Sequence, residues 1–364
     1  MTVRQLKLAD FRNMTFTDWQ PGELVNVICG QNAQGKTNLL EGLWLFTGGK
    51  SFRGSKDPEL VRIGAERARL QCTFDAENRT QTAEIHIEKR RKAILNGVPV
   101  SSPSRLTGLF GGVVFSPDHL MMVKGSPEGR RRFLDAALCQ VKPRYMSVYT
   151  DYVHILQQRN ALLKDWFRYP DDDQLAAWNA RMSAAAAEVV VARRDQVARM
   201  SGYAEEFYAG LSSGRESFSM AYEPEKGYDG KTKDEIAAMW LQEIEAARKA
   251  DIGAGFSTVG PHREDLSVSV AELSARSFGS QGQQRSAVLA LKMAEAAVLR
   301  DVTGERPVIL LDDVMSELDE TRQSYLMNHL EGWQVFITCC DPSTLTRLTD
   351  GRIFRMENGN LADG

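Results

Sequence analysis

Apolar residues along this chain recur with two periods, and the points where one gives way to the other mark its elements. "LKL" at Leu6–Leu8 alternates as a half-buried strand does. "ELVNVICG" carries a nearly unbroken apolar run, Leu24, Val25, Val27 and Ile28, the pattern of a strand covered on both faces. After a glycine loop, Leu39, Leu40, Leu43 and Trp44 recur at helical spacing, so the opening reads strand, loop, helix. From Leu70 to Val100 the period is two. Ile85 and Ile87 alternate with Glu84, His86 and Glu88, and Asn96-Gly97 marks a hairpin turn. An antiparallel sheet is predicted there, carrying the basic "KRRK" of Lys89–Lys92.

Helical patterning fills the middle. Ser126, Pro127 and Glu128 supply an N-cap, a first-turn proline and a first-turn acid. Phe133, Leu134, Ala137, Leu138 and Val141 then keep one apolar face until Pro143 interrupts it. The pattern resumes through "YTDYVHILQQRNALLKDWF", turns at "YPDDD", and continues in an alanine-rich helix. At about 35 residues, and 1.5 Å per residue, that helix and its predecessor make either an arm roughly 50 Å long or a cover lying on the sheet. A strand-like "SFSMAY", a helix near Lys233–Lys249 and the loop "STVGPHREDL" lead to a second buried strand at Val308–Leu311. There are no internal repeats and no low-complexity tracts.

Composition narrows the class. With 364 residues, 43% hydrophobic and 26% charged, the chain has an ordinary globular make-up and room for one large domain or two to three smaller ones. Its apolar runs are too short to cross a bilayer, and "MTVRQLKLADF" has no signal-peptide core, so a cytoplasmic location is expected. The five cysteines show no metal-ligand spacing and suit a reducing compartment. A net charge of −3 means that any nucleic-acid contact must come from local basic clusters. Lys89, Arg90 and Arg91 form one, and Arg130 and Arg131 belong to another. The second sits near a helix start, where positive charge opposes the helix dipole; either a phosphate partner or an acidic neighbour in the fold would explain it.

Three segments carry chemistry. "GQNAQGKT", Gly30, Gln31, Asn32, Ala33, Gln34, Gly35, Lys36 and Thr37, fits G-x-x-x-x-G-K-[ST] between a predicted strand and a predicted helix. The glycines let backbone N–H groups close on phosphates, Lys36 reaches the β/γ-phosphates, and Thr37 offers a hydroxyl to Mg²⁺. "PVILLDDVMSELD" ends a buried strand in two carboxylates. Asp312 is placed to assist Mg²⁺, and Asp313 to polarise an attacking water. "SFGSQGQQRS" starts a helix with Ser280 and Gly282 as a second possible phosphate cradle. Two cradles in one chain make sense if two chains face each other head to tail, each "SQGQ" closing over its partner's γ-phosphate.

These segments together resemble the ABC-type ATPases and, within them, the SMC-like DNA-repair group. "FRN" at Phe11–Asn13, "PDHLMMVKGSPEGRRRFLD", "LQQRNALLK", "GPHREDL", "FGSQGQQRS" and "LLDDVMSELD" look like segments of that group in the expected order. The resemblance implies an α/β fold, a two-lobed P-loop ATPase head with a mixed sheet, flanking helices and an inserted α-helical arm. The corresponding division is an ATPase lobe at residues 1–132, the arm at 133–250 and the return of the ATPase core at 251–364. It implies that residues 30–37 and Arg12 contact ATP, that Thr37 and Asp312 serve Mg²⁺, and that Lys36 and Asp313 are catalytic. Ser280, Gly282 and Gln283 would act in trans, with Ser316 and Asp319 at the dimer seam. The implied function is recombinational and gap repair, including DNA-damage and SOS contexts: an ATP-dependent homodimer closing on double- and single-stranded DNA at gaps and junctions, helped by recombination mediators and located with the nucleoid. The resemblance implies a weak, DNA-stimulated ATPase, and two departures point to slow hydrolysis and a switch that stays closed. Asp313 stands where many ABC proteins have Glu, and "ITCCD" at Ile337–Asp341 lacks the usual histidine, leaving Thr338 as a candidate γ-phosphate sensor. An ATPase subunit of a membrane transporter and a nucleotide-dependent assembly protein with no DNA role are the alternatives.

Overall fold

The computed structural model describes residues 1–223, 227–341 and 351–363. Strands β1 (Thr2–Phe11) and β2 (Met14–Trp19) precede β3 (Val25–Cys29), and a loop leads from β3 into helix α1 (Lys36–Trp44). Strands β4 (Ala68–Ala76), β5 (Arg79–Ile87), β6 (Arg91–Leu95), β7 (Val98–Val100) and β8 (Gly112–Phe115) follow. The helical section comprises α2 (Leu120–Lys124), α3 (Pro127–Val141), α4 (Tyr145–Lys164) and α5 (Asp172–Ser212). After β9 (Phe218–Glu223) come α6 (Lys233–Ala246), α7 (Arg248–Ala254), β10 (Asp265–Val270), β11 (Leu273–Ser274) and α8 (Ala275–Phe278). The last stretch holds α9 (Gln281–Thr303), β12 (Val308–Asp312), α10 (Glu320–His329), β13 (Val335–Cys339), β14 (Arg352–Glu357) and β15 (Asn360–Asp363).

One six-stranded sheet is antiparallel, in the order β2-β1-β4-β5-β6-β7. The other runs β15-β14-β3-β13-β12-β8, parallel except at the β15 edge. Its strands read as continuous apolar runs because each face meets a different core. Ile28, Val308, Leu310 and Phe336 point toward the antiparallel sheet and α1. Val27, Ile309, Leu311, Val335 and Ile337 point toward the helices. The two buried runs found by patterning, β3 and β12, are therefore separated by β13 alone, and their carboxyl ends lie together, where open parallel sheets bind ligands.

The alanine-rich helix is 41 residues long, and it does not project as a free coil. It is buried at intervals from Leu175 to Ser212, and it packs on α4, α6, α9 and β9. Its small residues, Ala186, Ala187 and Ala204 among them, allow that close approach. Only the far end has a core of its own, formed by Leu163, Trp166 and Leu175. The expected domain limits fall inside helices, since 132/133 cuts α3 and 250/251 cuts α7.

The loop "GPHREDL" and the segment before it are tied down by two buried ion pairs. Arg193 grips Asp135 through Nε and Nη2, each at 2.8 Å, and reaches the Pro261 carbonyl at 2.7 Å. Arg159 pairs with Asp251 at 2.8 Å, both side chains being fully buried, and donates to Asn179 and Ser257. His262 lies against the Tyr152 hydroxyl at 2.6 Å, and burial pushes its pKa down to about 4. These contacts make the segment a joint between α4, α5 and β10.

Candidate nucleotide-binding site

The phosphate loop is shaped by backbone conformations that few residues tolerate. Gly35 has φ +114°, and a Cβ there would lie 2.8 Å from Asn13 Oδ1. At Gly30 a Cβ would lie 2.4 Å from the Met356 carbonyl oxygen. Ala33 is also left-handed, at φ +66°. The result is a tight loop ending at the N-terminus of α1, which supplies free N–H groups and a favourable dipole for phosphate oxygens. The Lys36 ammonium folds back over this loop and donates to the carbonyls of Gly30 at 2.6 Å and Gln31 at 3.0 Å. Gln34 faces the other way: its side-chain Oε1 accepts from Asn358 N and its carbonyl from Gly359 N.

β12 delivers the carboxylates. Asp312 is 5% exposed, and its Oδ1 accepts from both Thr37 Oγ1 at 2.8 Å and Thr338 Oγ1 at 2.9 Å. Burial raises its pKa above the ordinary value, against the two hydroxyl hydrogen bonds, and the charge of Asp313 adds to the rise. A hard cation would relieve this crowding. The Thr37 hydroxyl and the Asp312 carboxylate are the oxygen donors that Mg²⁺ takes when phosphates and water complete its shell. Among the described residues no group of three or more His, Cys, Asp or Glu could hold a metal by itself. Asp313 leaves the strand at φ +56° and donates its N–H to Thr338 Oγ1 at 2.9 Å. Thr338 thus spends its hydroxyl on the two aspartates, a use that competes with the γ-phosphate sensing expected of it. Cys340 lies nearer the loop, its Sγ 3.2 Å from Asn32 Oδ1 and 3.8 Å from Lys36 Nζ.

The second cradle is a helix N-terminus closed by a capping box. Ser280 Oγ accepts from Gln283 N at 3.3 Å, and Gln283 Oε1 accepts from Ser280 N at 2.7 Å. Gln283 is further held by Glu216 at 2.7 Å. Ser280 is exposed and so is the neighbouring Phe278, while α9 behind them is buried from Gln284 to Leu299 except at Arg285. Among the described residues no hydrogen bond joins residues 277–283 to residues 30–37. Ser316 and Asp319 are exposed too: Ser316 Oγ donates to the Asp313 carbonyl at 2.9 Å, and Asp319 caps α10 through Arg322 N at 2.9 Å. A rigid helix therefore presents a capped tip outward, and the turn behind the catalytic-base candidate does the same.

Several of the basic residues expected at the nucleotide or at DNA have partners inside the protein. The Arg12 guanidinium forks onto Glu41, which is fully buried, at 2.7 and 2.8 Å, and also reaches Ser55 Oγ at 2.7 Å and the Glu59 carbonyl at 3.1 Å, which ties it to the helix that follows the phosphate loop. Arg130, 5% exposed, forks onto Asp265 at 2.6 and 2.8 Å; the acidic neighbour, and not DNA, answers its position near a helix start. Half-buried Arg131 donates to the Glu264 carbonyl at 2.6 Å. Arg91 binds Asp57 at 2.9 Å and the Gly49 carbonyl at 2.7 Å, with only 9% of its side chain exposed. Lys89 and Arg90 remain exposed at the β5–β6 turn, together with Lys92.

The Arg91 strut brings in residues that patterning missed. It fastens the β5–β6 turn to the loop after α1, where Lys50, Arg53 and Lys56 are exposed. Arg53 also donates to Asn38 Oδ1 at 2.9 Å, next to Thr37. The contacts of Arg91 and Arg53 thus link the basic turn to the loop after α1 and to the phosphate loop's helix. These three cations are scattered along a loop in sequence, so no charge run announced them.

Comparison with known proteins supplies the family. Residues 2–360 match the model described as RecF/RecN/SMC N terminal domain. The chain is 38% identical over 368 residues to the DNA replication and repair protein RecF of Ruminiclostridium cellulolyticum, covering 99% of each. It is 36% identical to the protein of the same description from Agathobacter rectalis, again over 99% of each. Among solved structures it resembles the recombination mediator protein RecF with ATPrS, of the RecFOR pathway, with TM-score 0.93 and 31% identity over 99% of this chain and 97% of that one. The Smc head domain of Pyrococcus furiosus, bound to the C-terminal domain of ScpA, has TM-score 0.57 at 15% identity over 99% and 95% of the two chains, and shares the fold.

Proposed function

The chain belongs to the RecF family of DNA replication and repair proteins, within the SMC-like ABC-type ATPases, and from that premise we propose that it is an ATP-gated DNA clamp. ATP bound at residues 30–37, with Mg²⁺ at Thr37 and Asp312, closes two copies head to tail. Each exposed Ser280–Gln283 tip covers the nucleotide of the other copy. The observation that carries this reading is the tip itself, a capped and solvent-facing helix end on a deeply buried helix, not bonded to the phosphate loop of its own chain. Asp313 orients the attacking water. Its short carboxylate suits slow turnover, so the clamp persists until hydrolysis opens it. DNA lies against the exposed Lys50, Arg53, Lys56, Lys89, Arg90 and Lys92, which can contact phosphates without reading bases. RecF is described as a recombination mediator of the RecFOR pathway, and partners of that pathway, with gapped or junction DNA near the nucleoid, are proposed here by kinship.

Family membership removes the transporter-subunit and DNA-free assembly readings, and no helix among the described residues is long and apolar enough to cross a membrane. Retention on duplex DNA tests the proposal. Binding is expected with ATP and not without it, falling steeply with salt, and Lys89→Glu with Arg90→Glu should lower both affinity and salt slope. Retention indifferent to nucleotide would contradict a clamp.

A further inference from the structure

The phosphate loop is held from outside by the two ends of the chain. On one side stands the β1–β2 turn: Asn13 Nδ2 donates to the Gln34 carbonyl at 3.1 Å, while Asn13 Oδ1 accepts from Asn38 Nδ2 at 2.9 Å. On the other stands the β14–β15 hairpin. Gly359 N donates to the same Gln34 carbonyl at 2.9 Å, and Asn358 N donates to Gln34 Oε1 at 2.5 Å. Both turn residues are left-handed, Asn358 at φ +48° and Gly359 at φ +79°, as a two-residue hairpin turn demands. The two turns also abut one another, for a Cβ on Gly359 would lie 2.5 Å from the Asn13 carbonyl oxygen. The hairpin is anchored to the loop's own strand, because β14 pairs in parallel with β3 as far as Arg355 opposite Cys29. Met356 then closes on Gly30 from behind.

We infer that the β14–β15 hairpin is part of the ATP site: its Asn358-Gly359 turn, with Asn13, acts as a positioning clamp that fixes the phosphate loop through Gln34. The inference rests on the reading of residues 30–37 as the ATP loop. None of the clamping residues need touch the nucleotide. Their effect is to make the ordering of a glycine-rich loop a cost met in folding and not at binding, which raises affinity without adding a contact. Asn358 acts through its backbone N–H and its left-handed conformation, so what matters at this position is backbone geometry.

The test exploits that distinction. Asn358→Gly keeps the N–H and the positive φ, and is expected to bind and hydrolyse ATP like the parent. Asn358→Pro lacks the N–H and cannot adopt that φ, and Gln34→Met removes the side-chain acceptor Oε1 from the loop side while leaving the Gln34 carbonyl and the hairpin in place. Each of the two should raise KM and Kd for ATP about tenfold, the scale of one to two hydrogen bonds, with kcat within about twofold. The double variant should be no worse than the poorer single one. Melting without nucleotide should stay near the parent for Gln34→Met, which separates a clamp from general stability. Lys36→Met serves as the reference for the loop. If Lys36→Met binds ATP normally, the reading of residues 30–37 fails. If Lys36→Met loses ATP while Gln34→Met and a folded Asn358→Pro keep parental affinity, the clamp is wrong and the loop reading stands. A drop in kcat with unchanged KM would also overturn the clamp.

Discussion

Lys36→Met is expected to abolish ATP binding at concentrations that saturate the parent. The ammonium sits at the mouth of α1 and reaches the carbonyls of Gly30 and Gln31 across the loop, so it occupies the ground where β- and γ-phosphates are neutralised. Charge-assisted hydrogen bonds contribute about 1.5–3 kcal/mol each, so a lysine that exchanges these two carbonyls for two phosphate oxygens would, when removed, lower affinity by at least about a hundredfold. The fold should survive, because Lys36 is only 7% exposed and methionine fills much of the same space without burying a charge. Titration with a fluorescent ATP analogue, beside a melting curve without nucleotide, checks both statements. Every ATP-dependent association should disappear with the affinity. Binding like the parent would remove Lys36 from the site.

Ser280→Arg is the complementary case, with ATP binding kept and association lost. Ser280 is exposed and its hydroxyl serves only the N-terminus of α9, so the change costs the chain about 1 kcal/mol of capping. Nothing bonds this tip to residues 30–37 of the same chain among the described residues, hence affinity for ATP should move by less than about twofold. In a head-to-tail pair, however, the arginine would stand where two surfaces meet across a nucleotide, and its bulk prevents the approach. Parent-like titration with loss of the ATP-dependent dimer is the expected pair of results. Normal dimers would mean that the tip does not close over a second copy.

Much of this architecture was legible because local patterns and global fold agree. The unbroken apolar runs at Val25–Cys29 and Val308–Leu311 announced strands buried on both faces, and the structure gives each face its own core. The Asn96-Gly97 turn joins β6 to β7 as its sequence demands. Within the site, glycine positions, lysine and aspartates could be placed because their chemistry is tied to fixed spacing. What escaped depends on distant partners. Whether the long helix projected or lay down could not be read from its own alanines; the answer lies in α9, whose apolar surface it covers. The basic residues show the same limit. Arg130 and Arg90 look alike in sequence, yet Asp265 claims one and nothing comparable holds the other among the described residues. Arg12 was assigned to the nucleotide through a family segment, and only the structure shows that its guanidinium also holds the buried Glu41. The Asn358-Gly359 turn carried the same hairpin signal as Asn96-Gly97, but only three-dimensional contact shows it gripping Gln34.

The central claim, a dimer made by ATP, is tested most directly by sedimentation velocity of Asp313→Asn with ATP, with ADP and without nucleotide, each with and without short duplex DNA. Asparagine suits this position, since it tolerates the φ of +56° and keeps the backbone N–H bonded to Thr338, so the site is preserved while the water-orienting carboxylate is lost. The account predicts a dimer with ATP alone, tightened by DNA, and monomers with ADP or no nucleotide. A monomer in every condition would contradict the clamp and leave only the ATP site standing.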